Sequence, residues 1–295
     1  MTSDVTALAP TGSVGLDLLS LVALTAIVII GLPHGAFDGA VALALGYGKT
    51  LKSMLGFVVT YVAISLFVVL FWLAFPVLAL LLFLAISAVH FGIGDSLPGA
   101  FILRGIQSLA HGGLVVVGVS LMHRPEVDPI FAHLVAGETS LLWAVLSIAA
   151  YGLAVILMGY AVLACRHPKL RLRFGELAGL ALAYYLLPPL VGFALYFCVV
   201  HSVRHVRHLW NDLRDSAYGR RRMLPLAVLF TGASWLAGTI TLWLMPTTTE
   251  TLDGAILRVV FIGLAALTVP HMMLVDGLFR RLPQKPNNAV DSEIT

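Results

Sequence analysis

Three histidines in this chain are each followed at short range by an aspartate: PHGAFD carries His34 and Asp38, HFGIGD carries His90 and Asp95, and PHMMLVD carries His271 and Asp276. A fourth cluster, HSVRHVRH, sets His201 and His205 four residues apart, hence on one helical face, with His208 continuing that face. An i, i+4 histidine pair directs two imidazoles at one metal ion. Neutral imidazole suits iron, copper, zinc or nickel. A metal-bound histidine ordinarily passes its other N–H to a carboxylate or carbonyl, which fixes tautomer and basicity. Asp38, Asp95 and Asp276 are therefore expected as such acceptors, or as ligands themselves. A carboxylate beside a metal–imidazole centre also means that neither charge is buried alone.

The elements that must position these residues belong to a membrane. The chain has 295 residues, 59% of them hydrophobic and only 11% charged, with a mean hydropathy of +0.96, whereas soluble domains carry about 25% charged residues. Lys and Arg outnumber Asp and Glu by 18 to 15, but they lie between hydrophobic segments, so no nucleic-acid partner is expected. Cys165 and Cys198 sit far apart in apolar runs without CxxC spacing, which argues for packing over a disulfide framework or thiolate site. No Lys or Arg precedes the first apolar run, so the basic region of a secretory signal is missing and the N-terminus is expected in the mature protein.

Apolar runs near the length of about 20 residues that spans a bilayer fall at 15–46, 53–73, 76–94, 101–122, 139–165, 174–189, 190–210, 223–245 and 255–279. The expected fold is an all-α polytopic transmembrane helix bundle of about nine passes in the cell membrane. Residues 1–280 form one domain, and 281–295 a polar tail. Basic residues favour the cytoplasmic side. Placing the N-terminus outside and the C-terminus in the cytoplasm puts Lys49, Lys52, Arg104, the RHPKLRLR stretch and Arg204 to Arg222 inside. Pro33, in the middle of an overlong first segment, predicts a kink or two half-helices.

With those directions, His34, His90, His201, His205 and His271 all come late in outside-to-inside passes and share one layer in the cytoplasmic half. His111 enters that layer from the opposite direction. His123, His133 and His167 fall in loops, where a solvated role is expected. Intramembrane ionisable residues face a bundle interior and mark functional sites. The bland alternative is a polar seam that glues helices. A bis-histidine haem bundle needs a longer spacing on each of two helices. Di-iron desaturases need several HxxxH and HxxHH boxes, of which one HxxxH is present. A metal-ion or proton transporter would also gather His and Asp in the bilayer, although the paired halves such folds often show are not evident.

PHGAFD (33–38), HFGIGD (90–95), AHGG (110–113), HSVRH (201–205) and TVPHMMLVD (268–276) together resemble the motif set of the Brp/Blh family of bacterial and archaeal membrane β-carotene 15,15′-dioxygenases, in order and over essentially the whole chain. The resemblance implies an enzyme that splits the central double bond of β-carotene with O₂ into two retinal molecules, using Fe(II) held by His34, His90, His201 and His205. No catalytic residue beyond that metal centre is implied. Asp38 and Asp95 would orient the rings, and His271 with Asp276 would stand behind them. The bilayer would deliver the polyene sideways into an apolar tunnel, for which Phe37, Phe91, Tyr184, Tyr185, Tyr196, Phe197 and Trp210 are candidate lining residues. Arg204 and Arg207 read most simply as snorkelling anchors, and His208 as solvated. A rhodopsin is the expected retinal acceptor.

Overall fold

The chain is described from a computed structural model, over residues 15–97, 99–213, 219–245 and 251–278, with the side chains of His34, residues 219–222 and Leu278 outside the description. The expected polar tail and Arg280, Arg281 and Lys285 lie outside the described residues. Every regular element is helical. In chain order they are α1 (Leu18–Ala26), α2 (Asp38–Ala44), α3 (Leu51–Ala74), α4 (Pro76–Asp95), α5 (Phe101–Gly113), α6 (Val119–Met122), α7 (Arg124–Val135), α8 (Ser140–Arg166), α9 (Pro168–Leu186), α10 (Pro189–Ala194), α11 (Ser202–Leu213), α12 (Gly219–Leu244) and α13 (Leu252–Met272).

Local signals set the boundaries. The Asp17 carboxylate accepts from the Ser20 N–H, and the Thr50 and Thr251 hydroxyls accept from Ser53 and Gly254 N–H, capping α1, α3 and α13. Phe75 leaves helical geometry and Pro76 fills the first turn of α4, where its missing N–H costs nothing, so the chain reverses within one residue. Gly46, at φ +93°, supplies the left-handed turn after α2.

Among the described residues, eight helical stretches are long and apolar enough to cross a membrane: 18–44, 51–74, 76–95, 101–122, 140–166, 189–213, 223–244 and 252–277. The ninth expected pass, α9, is a helix of 19 residues whose first half carries Lys169, Arg171, Arg173 and Glu176, too much charge for the apolar criterion. It nevertheless traverses the bundle, because Arg171 caps carbonyls at the end of α8 while the Tyr184 carbonyl accepts from His123 beyond α6, at the other face.

α7 lies across that face as a lid. Trp72 of α3 and Arg258 of α13 donate to its Leu134 and His133 carbonyls, and Thr139 and Trp143 of α8 donate to its Asp128. His123 and His133 are therefore not solvated as expected. His123 donates to a backbone carbonyl, and the Nε2 of His133 is buried against Gly254. Only His167, in the turn between α8 and α9, is exposed.

The helices depart from α geometry where the histidines lie. Pi-helical turns occupy Ile27–Gly31, Leu114–Gly118, Leu195–His201 and Met273–Leu278, and Leu32–Phe37 is a 3₁₀ segment that carries His34 and Pro33. Such interruptions are frequent at functional sites. The expected break at Pro33 is thus a tightened turn within one continuous pass.

Candidate metal centre

Four described histidines from three passes meet in the buried interior. His90 comes from α4, His201 and His205 from the π-turn and start of α11, and His271 from the end of α13; each is 7% exposed or less. Ring centroids lie 4.9 Å apart for His90 and His201, 5.2 Å for His90 and His271, and 5.0 Å for His205 and His271. His90 to His205 is 6.2 Å and His201 to His205 is 6.1 Å. A metal–imidazole bond of about 2.1 Å limits two rings on a shared ion to centroids about 6.5 Å apart, so all five pairs stand within that reach. Among the described residues, no three His, Cys, Asp or Glu side chains form a metal cage by themselves. His34, the remaining expected ligand, has its backbone in the 3₁₀ segment and its side chain outside the described residues.

The carboxylates are exchanged between helices relative to the sequence pairs. Asp38 is fully buried and accepts from His271 Nδ1 at 2.7 Å and from the Tyr61 hydroxyl at 2.8 Å. Asp276 accepts from His90 Nδ1 at 2.9 Å. With Nδ1 turned to a carboxylate, Nε2 is the nitrogen each ring would give to a metal, and the Nε2 atoms of all four histidines are shut off from solvent. The donor set, imidazoles of which two are oriented by a carboxylate behind, fits an imidazole-binding metal such as iron, copper, zinc or nickel. His271 lies no farther from its neighbours than His201 does, so distance alone does not relegate it behind the other rings.

Asp95 does not back His90. It accepts from the Tyr196 hydroxyl at 2.8 Å and pairs with the Arg204 guanidinium at 2.8 Å, and Arg204 also reaches Glu176 at 2.8 Å. Arg204 is thus no snorkelling anchor. Its partner is a buried carboxylate that would be costly to leave alone, and the pair ties α11 to α4 directly beside the histidines on both helices. His111 sits next to this network, its Nδ1 4.0 Å from Asp95 and its buried Nε2 without a hydrogen-bond partner, outside the histidine cluster. Arg207 and His208 are exposed.

One side of the cluster opens on an apolar cavity. His90 and His271 line it. From them the lining extends along α4, α5–α6 and α13 to Val127, Ile130 and Phe131 of α7, called here the upper arm, and past Leu32, Ala36, Tyr61, Phe230 and Ser234 on the side of α12, called the second arm. Of the expected lining aromatics, Phe91 and Phe197 are present, packing on His201 at 4.7 and 6.0 Å. Tyr185 and Trp210 are exposed at 72% and 37%. Phe37 packs in the core around α2, and Tyr184 is buried against Gly192. Tyr196 faces the Asp95 network. The lining residues missed, Phe83, Phe131, Phe193, Phe230 and Phe261, share no spacing that marks them out from other membrane phenylalanines.

These features define a polytopic membrane protein with a buried imidazole centre that faces an apolar interior cavity. Comparison with known families matches residues 25–279 to the family described as Beta-carotene 15,15'-dioxygenase. The chain is 36% identical over 269 residues to the Beta-carotene 15,15'-dioxygenase of uncultured marine bacterium 66A03, covering 90% of this chain and 96% of that one. It is 29% identical over 287 residues to the Probable beta-carotene 15,15'-dioxygenase Blh of Halobacterium salinarum, covering 86% and 82%. No solved structure matches. The chain belongs to the beta-carotene 15,15'-dioxygenase family.

Proposed function

We propose that this protein cleaves the central double bond of β-carotene with O₂, giving two molecules of retinal, at a ferrous ion held among His34, His90, His201 and His205 with His271 beside them. The observation that supports this most directly is the meeting of imidazoles from separate helices beside an apolar cavity that His90 and His271 line. When bound, iron would supply the means to bring O₂ into reaction with a conjugated double bond. The protein's own part is positional. Asp276 and Asp38 hold His90 and His271 with Nδ1 protonated, and Tyr61 fixes the second Asp38 oxygen. The Arg204–Asp95 pair holds α11 in register with α4. The apolar walls exclude water and give a polyene nothing to bind but shape, so geometry selects the bond presented to the centre.

The substrate reaches the cavity from the lipid, and retinal leaves by the same apolar medium toward a retinal-binding acceptor such as a rhodopsin. Lys49, Lys52, Arg104 and the basic turn around Arg166 to Arg173 lie at the bundle face nearer the histidines, so we place that face in the cytoplasm and the α7 lid outside, in the cell membrane.

Expression in β-carotene-accumulating cells tests the reading: the orange pigment should bleach with release of retinal. His34→Ala, His90→Ala, His201→Ala and His205→Ala should each reduce bleaching at least tenfold and lower bound iron, while His167→Ala, exposed between α8 and α9, should do neither. Metal uptake with carotenoid unchanged would speak for a transporter instead.

A further inference from the structure

The walls of the cavity do not explain by themselves why one double bond among many alike should be cut. A conjugated chain offers near-identical bonds every two carbons, and of the polar residues along the upper arm Ser120 and Thr268 already donate their hydroxyls to carbonyls of their own helical stretches. A mechanical stop would. We propose that the underside of α7, through Val127, Ile130 and Phe131, is a ruler: the end group of the polyene butts against it, and the arm's length sets which bond lies beside the histidines. The inference rests on the carotenoid-cleaving reading above and adds the residues that determine regioselectivity.

Three observations carry it. First, Val127, Ile130 and Phe131 are buried at 6%, 7% and 5% exposure and line the cavity at the end away from His90 and His271. Second, the arm has a definite length. α13 lines it from Phe261 to His271, ten residues, or about 15 Å at 1.5 Å per residue, comparable with half of an extended C40 polyene. Third, the stop is fixed. Trp72, Arg258, Thr139 and Trp143 hydrogen-bond α7 from α3, α13 and the start of α8, at 3.1, 3.1, 2.6 and 2.5 Å. A short amphipathic helix on a membrane face would otherwise ride with the lipid; here three neighbours hold it at one height. The other half of the chain would lie along the second arm, past Tyr61, Phe230 and Ser234.

Moving the stop should move the cut. Cleavage breaks one C=C bond and places one oxygen atom of O₂ on each new carbonyl carbon, so the two products always share the forty carbons of the substrate. Ile130→Ala deepens the arm, and Val127→Phe shortens it. Each variant, purified with iron and given β-carotene under air, should yield an unequal carbonyl pair, one longer and one shorter than retinal, as at least a tenth of product by mass spectrometry. Wild type should yield retinal alone. The two substitutions act in opposite directions on volume, so misfolding of one leaves the other to decide. Retinal alone from both variants at the wild-type rate would overturn the ruler while leaving the proposed function standing. Absence of retinal from the iron-loaded wild type would overturn the proposed function, and the ruler with it.

Discussion

At the scale of single residues, the exchange of carboxylates between helices is the main finding. HFGIGD separates His from Asp by five positions within α4, about 140° around an α-helix at 100° per residue, so that pair points to different neighbours; in PHMMLVD, with the same separation, Asp276 lies in a π-helical turn. His34 and Asp38 have the four-residue spacing, but the segment between them is 3₁₀. At three residues per turn, position 38 lies about 120° from position 34, against about 40° in an α-helix. The sequence therefore revealed that carboxylates back the histidines, but which carboxylate backs which ring depends on helix packing that spacing does not encode. Asp38→Asn and Asp276→Asn should each weaken iron binding about 10- to 100-fold, measured by metal titration of the purified protein. A double-mutant cycle on iron-free protein should find about 0.5–3 kcal/mol of coupling between positions 38 and 271, and again between 90 and 276. The Arg204–Asp95 pair admits a similar test. Asp95→Asn should cost about 3 kcal/mol by stranding the guanidinium, and adding Arg204→Met should recover part of it, as read from thermal unfolding in detergent.

At the scale of elements, the α4–α5 contact sets the histidine layer, and glycine makes it close. A Cβ at Gly92 would run into the Ser108 carbonyl oxygen, and one at Gly112 into that of Ala88, whereas Gly105 on the same α5 has nothing within 4 Å. Gly92→Ala and Gly112→Ala should each drive the two helices apart and lower the unfolding temperature by several degrees, while Gly105→Ala should leave it unchanged or slightly raised. The HFG and AHGG motifs announced this close approach. They did not announce the amphipathic lid α7, because a loop of HRPEVDPIFAHLVAGE composition gives no sign of what it will cover. That lid carries its own pH signature. Hydrogen bonds from Thr139 and Trp143 hold the Asp128 carboxyl below its ordinary value of 3.8. A depressed folded-state pKa means the contribution is complete above that ordinary value and disappears as pH falls through the lowered one. Asp128→Asn should cost about 1 kcal/mol at neutral pH and flatten the loss of thermal stability on acidification below about pH 4.

At the scale of the whole molecule, the sequence disclosed the all-helical membrane architecture and the shared depth of the histidines, since hydropathy and loop charge act along the chain. The count of passes was harder. Among the described residues eight stretches meet the apolar criterion, and α9 crosses beside them with a charged half whose Arg171 donates to the end of α8 and whose Glu176 pairs with Arg204. The cavity was legible only in part: an apolar tunnel lined by Phe91 and Phe197 was expected, but its remaining walls belong to the gap between helices. Both features serve one arrangement: a layer of imidazoles within a lipid-embedded bundle, reached only by an apolar path. The central claim is that iron in that layer does the cleavage. Purified protein should be stripped with a ferrous chelator, assayed with β-carotene under air, then reloaded with Fe(II) and assayed again. The account expects no retinal from the stripped protein and its return in proportion to iron bound, up to one ion per chain. Retinal formation undiminished by complete removal of iron would contradict it.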